Sequence, residues 1–337
     1  MAVSPSNPLR IGIVGLGYIG SFVGGQFHRH PDASVEAVCD LDAERRQHIG
    51  GRFDVDDTNQ YDDYGDMLEA STLDAVLIGT PHTLHADQVS RALDHGLHVY
   101  CDKPLTTDTE DAKQLLERVE TSEELVMVGY QRHLQTAFKQ ARARYHTPAL
   151  EPQWVTASIT QPWIDDSVET WRLEPALSGG GFLSDTGSHV LDGVLWTTGL
   201  VPEAVRASMD FHDEAAEIDR RAHLDVRFSN GATGNFSFHG DASAVREHIH
   251  IWDDEGAVYL EGKEWRSRRV YEIDTDSSEH HPYIDHRAEP DRAAAFLESV
   301  REGTEPPATV ADGLAVAALT DAAYESARRD EWVQVDY

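Results

Sequence analysis

The chain has 337 residues, which is long enough for two domains with sizeable hydrophobic cores. Its 60 acidic and 28 basic residues give a formal net charge of −32, which argues against a nucleic-acid partner because phosphate binding requires a positive potential. The sequence contains no apolar run of about eighteen residues, and its N-terminus lacks the features of a signal peptide. We therefore expect neither a membrane span nor export.

The charges are distributed in an unusual way. Acidic residues are spread along the chain rather than gathered in a tail, which favours a folded protein over a disordered one. Only four of the basic residues are lysines. This balance is typical of halophiles that accumulate salt, where molar salt shortens the Debye length to about 3 Å. The alternative, an acidic surface for a basic partner, requires a concentration of acidic residues that the sequence does not show. Two isolated cysteines, Cys39 and Cys101, predict buried free thiols in a reducing cytoplasm.

A glycine-rich motif follows the first predicted strand. The apolar run 11–14 predicts a buried strand, and Gly15, Gly17 and Gly20 follow it in the spacing G-x-G-x-x-G. These glycines permit a tight turn, a close approach of the backbone to a pyrophosphate, and packing of the next helix on the strand. Asp40 ends the second predicted strand, where a carboxylate can accept hydrogen bonds from ribose hydroxyls. The alternative is a glycine turn followed by an ordinary surface aspartate.

Strands and helices alternate through residues 1–129. The later predicted elements follow in chain order as strands 73–80, 97–101 and 125–129 with helices 85–95 and 108–120 between them. This rhythm predicts right-handed βαβ units and a doubly wound parallel sheet, so we expect a dinucleotide-binding domain.

The pattern changes in residues 130–337. One helix is predicted at about 134–145, and alternating apolar and polar residues then predict strands at 154–160, 205–210, 222–228, 232–240, 247–253, 257–261 and 265–273. Ser229-Asn230-Gly231 and Asp254-Glu255-Gly256 indicate hairpin turns between these strands. With closing helices at 288–302 and 311–328, these elements predict an α/β domain with a largely antiparallel, half-exposed open sheet.

Lys103 lies directly after the fourth predicted strand, at the sheet edge where α/β folds bind ligands. Arginine has replaced lysine almost everywhere else in this chain. A lysine kept at this position indicates a need for an amine that can gain and lose a proton. The alternative is a surface lysine at the end of a strand.

A second group of polar residues follows the run Gly179–Gly181. Asp185, His189 and Asp192 are spaced four and seven residues apart, so they share one face of a predicted helix. A carboxylate beside a histidine can fix the imidazole tautomer and hold a substrate hydroxyl. The alternative is a carboxylate near a helix N-terminus and a partly buried histidine.

Taken together, these motifs resemble the glucose–fructose oxidoreductase/inositol dehydrogenase (Gfo/Idh/MocA) family. The matching segments cover essentially the whole chain and are, in order, the G-x-G-x-x-G strand, Thr80-Pro81-His82-Thr83-Leu84-His85, Asp102-Lys103-Pro104, Trp171-Arg172, the run from Gly179 to Asp192, Asp312-Gly313-Leu314 and Ala323-Tyr324-Glu325-Ser326-Ala327. Where the family usually has Glu-Lys-Pro, Asp102 keeps the carboxylate but shortens its reach by one methylene.

The resemblance implies an N-terminal Rossmann domain, and a C-terminal α/β domain whose open sheet often forms the interface of a homo-oligomer, a dimer or a tetramer. It implies that Lys103, Asp185 and His189 are catalytic and meet the substrate beside the nicotinamide. His189 is the candidate base, oriented by Asp185, and Lys103 hydrogen-bonds the reacting oxygen or relays its proton. The implied cofactor-binding residues are Gly15, Gly17, Tyr18, Ile19, Gly20, Asp40, Thr80, Pro81, His85, Asp102 and Lys103. Further implied substrate contacts are Gln131, Arg132, Trp163, Arg172 and Tyr283.

The implied activity is NAD-dependent oxidation of a hydroxyl group of a sugar, polyol or inositol, with hydride transfer to the nicotinamide. Asp40 favours NAD over NADP, because a 2′-phosphate there would meet a carboxylate. Arg45 and Arg46 fall on the following predicted helix, where we expect them to be solvated. The remaining histidines lack metal-ligand spacing, so no metal is predicted.

Two alternatives stay open within the same family. One is an NAD-retaining lyase or hydrolase that acts by transient oxidation of a sugar carbon, and nothing in the sequence excludes it. The other is a non-catalytic NAD-binding regulator, against which the intact set Lys103, Asp185 and His189 argues. A salt-adapted structural protein would leave the glycine motif and its spacing to Asp40 unexplained.

Overall fold

The computed structural model describes residues 7–146, 150–215 and 217–337. This part of the chain divides into two compact units. The first contains residues 7–106, 110–129 and 290–313, and the second contains the remaining described residues. The prediction that no signal peptide is present falls on the N-terminus, of which residues 1–6 lie outside the described residues.

The first unit contains a parallel sheet of six strands in the order β3-β2-β1-β4-β5-β6. Its strands are β1 Leu9–Val14, β2 Ala33–Cys39, β3 Gln60–Tyr61, β4 Ala75–Ile78, β5 His98–Cys101 and β6 Val126–Val128. The strand order reverses between β1 and β4. In doubly wound sheets, such a switch point opens a crevice at the carboxyl ends of the strands, where ligands bind.

Helices cross between these strands as the βαβ pattern requires. They are α1 Tyr18–Arg29, α2 Ala43–Arg52, α3 Tyr64–Ala70, α4 His85–Asp94 and α5 Thr109–Glu120. Strands β4 and β6 are entirely apolar and buried because both faces of a parallel sheet are covered.

A segment from near the C-terminus completes the first unit. Helix α10 (Arg292–Glu302) inserts Phe296 edge-on against Phe27 and Tyr100, with ring centroids 5.7 and 6.2 Å away. Further along, the carbonyl of Ala308 accepts a hydrogen bond from the backbone of Val128. The predicted domain limits, 1–129 and 130–337, remain a prediction. The compact units differ from them because this late segment buries its aromatic side chain in the core of the first unit.

The second unit contains a mainly antiparallel sheet of nine strands in the order β14-β13-β12-β11-β7-β10-β9-β8-β15, with β7 and β10 parallel. Its strands are β7 Trp154–Thr160, β8 Pro202–Phe211, β9 Asp219–Phe228, β10 Thr233–His239, β11 Arg246–Asp253, β12 Gly256–Lys263, β13 Arg269–Asp274, β14 Glu279–His280 and β15 Val333–Gln334. Buried and more exposed residues alternate along most of these strands, so one face is packed and the other is open. The predicted fold class is confirmed.

The helices of the second unit are α6 Thr136–Tyr145, the short helices α7 Trp163–Asp166 and α8 Pro175–Ser178, α9 Ser188–Thr198 and most of α11 Val310–Arg329. Helices α6 and α9 pack against strands of the sheet. The turn that leads into α9, Leu183–Gly187, is π-helical rather than α-helical. Such turns are often found at functional sites.

One predicted strand begins later than expected. The sequence pattern predicts a strand over 265–273, but β13 starts at Arg269. Residues 264–268 form the loop of a hairpin, in which the side chain of Arg268 turns inward to an ion pair with Glu247. That pairing removes the segment from the sheet.

Candidate active site

The glycine loop of the first unit has the space that a pyrophosphate needs. Gly15 has a φ of +81°, and a Cβ there would lie 2.6 Å from the backbone of Gly79. A Cβ on Gly20 would lie 2.0 Å from the carbonyl oxygen of Gly15, so the helix can approach the strand only without a side chain. A Cβ on Gly17, in contrast, meets nothing within 4 Å. Gly15 and Gly20 are therefore needed for the fold. Gly17 instead faces open space at the N-terminus of α1, where anions are favoured.

Asp40 stands directly after β2 and binds the glycine loop. One oxygen of its carboxylate accepts a hydrogen bond of 2.8 Å from the backbone N–H of Leu16, and the other accepts one of 2.9 Å from Asp42. Carboxylate oxygens have two lone pairs each, so this arrangement leaves acceptor capacity for ribose hydroxyls. The residues of this unit therefore fit a dinucleotide: a glycine cradle for the pyrophosphate and a fixed carboxylate beside it.

The side chains of two arginines of α2 also contact the end of β2. Arg45 lies 3.5 Å from a carboxylate oxygen of Asp40 and 3.8 Å from one of Asp42. Arg46 donates hydrogen bonds to the carbonyl oxygens of Asp40 and Leu41, at 2.6 and 3.2 Å. The expectation that both arginines are solvated is therefore wrong for Arg46, which binds the strand end, whereas Arg45 is exposed beside its two carboxylates. Helix α2 begins directly after the strand, so its first turn brings both guanidinium groups back to the strand end.

His85 connects two other strand ends of the first unit. Its ring nitrogens lie 2.8 Å from the carbonyl oxygen of Pro104 and 3.0 Å from that of Thr80. The side chain is fully buried, and this burial lowers the pKa of His85. The buried ring thus lies between these two segments and bridges them, rather than facing a ligand.

The segment Asp102-Lys103 is held by close backbone packing. Both side chains are almost entirely buried. A Cβ on Gly129 would lie 2.9 Å from a carboxylate oxygen of Asp102 and 3.2 Å from the backbone of Lys103. A side chain at residue 129 would crowd this segment, so the glycine lets the end of β6 lie close against it.

The carboxylate of Asp185 binds two other residues predicted from the sequence. Its Oδ2 accepts a hydrogen bond of 2.6 Å from the indole N–H of Trp163 and one of 2.9 Å from Nε of Arg172. The Arg172 guanidinium also stacks on the ring of Trp171, 4.6 Å from its centroid. Asp185 is nearly buried, and charge-assisted hydrogen bonds of this kind fix a carboxylate in place.

His189 lies one helical turn beyond Asp185, between two aromatic rings. The centroid of Tyr130 is 6.3 Å from that of His189, and the centroid of Trp265 is 6.0 Å away. Asp192, the third predicted residue of this face, binds elsewhere: its carboxylate lies 2.8 Å from Nε2 of the buried His133. The three predicted residues of this helix face therefore have different surroundings. Asp185 binds two hydrogen-bond donors, His189 lies between aromatic rings, and Asp192 binds a buried histidine.

Arg132, a predicted substrate contact, is fully buried in an ion cluster. Its guanidinium contacts the carboxylate of Glu247, which also pairs with Arg268 at 2.8 Å. The structure thus places Arg132 inside the second unit rather than at an accessible surface, so we leave it out of the proposals below.

The other predicted residues vary in exposure. Tyr283 is 82% exposed and Gln131 is half-buried in a short 3-10 turn. In the first unit, Tyr18 is exposed and stacks on Phe22, Ile19 is half-buried, and Pro81 precedes the 3-10 turn that leads into α4. The roles assigned to all these residues remain predictions.

A buried carboxylate that the sequence did not reveal holds the turn before Asp185. Asp219 accepts hydrogen bonds from the backbone N–H groups of Gly181 and Leu183, at 3.1 and 2.9 Å, and from the Tyr324 hydroxyl. A Cβ on Gly181 would lie 2.2 Å from the backbone of Asp219. The run of glycines in the sequence indicates close packing here, but it does not identify the partner.

The described residues contain no helix long and apolar enough to cross a membrane. Within the same residues, no three histidine, cysteine, aspartate or glutamate side chains form a group that could hold a metal ion. Cys39 and Cys101 are both buried and form no disulfide.

Comparison with known proteins identifies the family. Residues 9–130 match the model of the oxidoreductase family with the NAD-binding Rossmann fold (GFO_IDH_MocA), and residues 139–259 match the GFO/IDH/MocA C-terminal domain. The chain belongs to the Gfo/Idh/MocA family of oxidoreductases, which confirms the family suggested by the sequence motifs.

Individual relatives are distant but cover most of the chain. The rhizopine catabolism protein MocA of Rhizobium meliloti is 26% identical over 95% of this chain and 96% of its own length. A D-xylose 1-dehydrogenase (NADP⁺) of Haloarcula marismortui is 24% identical over 76% of this chain and 72% of its own. Among solved structures, a levoglucosan dehydrogenase in complex with NADH and L-sorbose has a TM-score of 0.83 at 21% identity, covering 98% of this chain and 99% of that one. At this identity the structural likeness shows the fold.

Proposed function

We propose that this chain is an NAD-dependent dehydrogenase that transfers a hydride between nicotinamide and the hydroxyl or carbonyl carbon of a sugar, polyol or inositol. The glycine loop carries this proposal: Gly17 faces open space at a helix N-terminus, and Asp40 is fixed beside it. Distant relatives of the same family are named as dehydrogenases of D-xylose and of inositol, which supports this substrate class.

The charges around Asp40 support NAD as the cofactor. Burial raises the pKa of the adjacent Cys39 thiol to about 12. Besides burial, the carboxylates of Asp63 and Asp40 raise this pKa, whereas the Arg46 guanidinium lowers it. Arg45 already faces two carboxylates, Asp40 and Asp42. A 2′-phosphate would enter a region where negative charge prevails, and the ribose hydroxyls of NAD would not add to it.

The mechanism assigns a separate role to each proposed catalytic residue. Bound NAD supplies the hydride acceptor. His189 accepts the proton of the substrate hydroxyl as general base. Asp185 was expected to orient His189. Because Trp163 and Arg172 hold its carboxylate in place, we assign it instead to orient the substrate by accepting a hydrogen bond. Lys103 donates a hydrogen bond to the oxygen that becomes a carbonyl, which stabilises the developing negative charge.

The test is reduction of NAD and of NADP with a panel of aldoses, polyols and inositols, in molar KCl. We expect turnover with NAD, and a fall in kcat of about 10²-fold to 10⁴-fold in Lys103→Met. Lys139→Met, which removes an exposed lysine of α6, is the matched control and is expected to retain wild-type rates. If folded wild-type protein binds NAD but reduces it with no substrate on the panel, the dehydrogenase proposal fails. An NAD-retaining lyase, active without added cofactor, then becomes the better hypothesis.

We also propose a homo-oligomer formed through the open face of the second sheet. The residues on this face of its three central strands are Trp154, Thr156, Ser158, Thr160, Thr233, Asn235, Ser237, His239, Arg246, His248, His250 and Trp252. None of them is acidic, although the whole chain carries 60 acidic residues. Depletion of one charge type and exposed aromatic rings such as Trp154 are typical of an interface core.

Light scattering tests this interface. Ser158→Glu places a charge at the centre of the face and is expected to reduce the mass to that of a monomer, whereas Ser229→Glu, in an exposed turn, is expected to leave it unchanged. A wild-type monomer in molar salt would contradict the proposal.

We further propose a reducing cytoplasm as the location, which the two buried thiols support, and a salt-rich host, which the acidic composition supports.

A further inference from the structure

The loop between β12 and β13 presents an aromatic ring to the proposed catalytic base. Trp265 is 44% exposed, although it lies 6.0 Å from the ring of His189 with an angle of 55° between the ring planes. The exposed part of the indole is an apolar surface whose burial by a ligand would be favourable. Its position beside the candidate base makes a bound substrate the natural partner.

The base of this loop is fixed by a buried ion pair. The Arg268 guanidinium donates to both oxygens of Glu247, at 2.9 and 2.8 Å, and to the carbonyl oxygen of Arg266. A Cβ on Gly262 would lie 2.4 Å from the Arg268 side chain, so glycine makes room for the arginine beneath the strand. A bidentate arginine–carboxylate pair has a defined geometry. The buried pair of Arg268 and Glu247 therefore fixes the position of the loop that carries Trp265.

Glu247 stays ionised throughout the ordinary pH range. Burial alone would raise the pKa of this carboxyl, but Arg132 and Arg268 outweigh that effect and lower it to about 2. At the outer side of the loop, Arg266 pairs with Glu264 at 2.7 Å. The ion cluster below Trp265 thus does not titrate where an enzyme would be assayed, so pH does not change the support of the loop.

A sugar ring has the chemistry that this arrangement can bind. The hydroxyl groups of a pyranose or an inositol lie around the rim of the ring, and its C–H bonds form a small apolar face. An indole can cover that face while a neighbouring imidazole reaches a hydroxyl at the rim. An open-chain polyol has no fixed apolar face and loses more conformational entropy when it is ordered.

We propose that Trp265 is a substrate-binding residue whose indole packs on the C–H face of a cyclic polyol, a pyranose or an inositol, while His189 accepts the proton of one of its hydroxyls. This inference rests on the proposed dehydrogenase function and narrows its substrate class from sugars and polyols in general to cyclic ones.

The experiment compares kcat and KM of the wild type, Trp265→Ala and Trp265→Phe on cyclic substrates and on open-chain polyols, with NAD in molar KCl. For cyclic substrates we expect Trp265→Ala to raise KM by about 10-fold to 100-fold with a smaller change in kcat, and Trp265→Phe to restore most of the loss. The affinity for NAD, measured by calorimetry, is expected to stay unchanged. Open-chain polyols are expected to be poor substrates for all three proteins.

Trp332→Ala is the matched control. This indole is also partly exposed and belongs to the second unit, but it packs under the guanidinium of Arg227 rather than beside a histidine. We expect its KM to equal that of the wild type. An equal rise in KM in both alanine variants would overturn the proposal, because it would indicate a general loss of structure.

Two other results would overturn this inference while leaving the dehydrogenase function intact. One is an active Trp265→Ala protein with unchanged KM for every cyclic substrate. The other is an unchanged KM together with a lower mass by light scattering, which would assign Trp265 to a contact between copies of the chain. If the wild type oxidises no substrate at all, the proposed function itself has failed.

Discussion

The hydroxyl of Tyr324 donates a hydrogen bond of 2.5 Å to the carboxylate of Asp219, and both side chains are buried beneath the turn that leads to Asp185. The same hydroxyl accepts a hydrogen bond of 3.0 Å from the backbone N–H of Gly181. A helix near the C-terminus and a strand of the second sheet thereby determine where the glycine turn begins.

This pair predicts a pH-dependent effect on stability. Burial raises the pKa of Asp219 to about 6, although the Tyr324 hydroxyl and the backbone donors partly oppose that effect. Because the folded-state pKa exceeds the unfolded one, the free energy of unfolding falls as the pH rises through about 6. Tyr324→Phe removes a donor to the carboxylate, so it is expected to cost about 1–3 kcal/mol at pH 8 and less at pH 5. Chemical denaturation at both pH values in molar KCl measures the difference.

Asp219→Asn is the companion variant, since it cannot titrate. Its free energy of unfolding is expected to vary less between pH 5 and pH 8 than that of the wild type. Equal costs of Tyr324→Phe at the two pH values would show that the hydroxyl does not stabilise an ionised carboxylate.

The glycine loop predicts opposite outcomes for two similar substitutions. Gly17→Ala adds a methyl group to open space, so the protein is expected to fold with wild-type stability but to bind NAD about 10-fold more weakly or worse. Gly20→Ala places the same methyl group 2.0 Å from the carbonyl oxygen of Gly15, and we expect a loss of about 3 kcal/mol or more in stability. Thermal denaturation and calorimetric titration with NAD distinguish the two. A Gly17→Ala protein with unaltered affinity would mean that the dinucleotide binds elsewhere.

The two donors to Asp185 are expected to act as a unit. Trp163→Phe removes the indole N–H but keeps an aromatic ring, and Arg172→Met removes the guanidinium. Each is expected to lower kcat by about 10-fold or more, and the double variant to lose less than the product of the single effects. Arg301→Met, which breaks a partly exposed ion pair with Asp32 in the first unit, serves as the control. Independent, multiplicative effects would indicate that the two residues do not share one carboxylate.

The net charge of −32 predicts a requirement for salt. Repulsion among exposed carboxylates destabilises the compact state and is screened when the Debye length shrinks from about 10 Å at 0.1 M salt to about 3 Å at 1 M. We expect Tm to rise steadily with KCl over this range. NaCl at equal ionic strength controls for a specific effect of potassium. A Tm that does not change with salt would contradict both the screening argument and the proposed salt-rich host.

Sequence motifs located part of the candidate site because the residues involved are close in the chain or carry a recognisable spacing. Gly15, Gly17 and Gly20 have one backbone function each, which the spacing encodes. Trp163, Arg172 and Asp185 were predicted from the resemblance, and the structure brings all three together at one carboxylate oxygen.

Trp265 and Arg132 show where sequence patterns fail. The alternation around Trp265 is typical of a strand, and only the pairing of Arg268 with Glu247, 21 residues away, turns this segment into a loop. Arg132 follows Gln131 in a segment expected to contact substrate, but its guanidinium is matched by a carboxylate 115 residues further along the chain. Both outcomes depend on tertiary contacts that no local pattern contains.

The position of helix α10 late in the chain affects how the first unit folds during synthesis. The core around Phe27 and Tyr100 is completed by Phe296, so the nucleotide-binding sheet stays partly uncovered until the ribosome has synthesised almost the entire chain. Residues 130–289, which belong to the other unit, emerge before α10 and can begin to fold while the earlier sheet still lacks this helix. A nascent chain released at residue 289 would expose these aromatic rings to solvent, and the first unit would aggregate rather than bind its nucleotide.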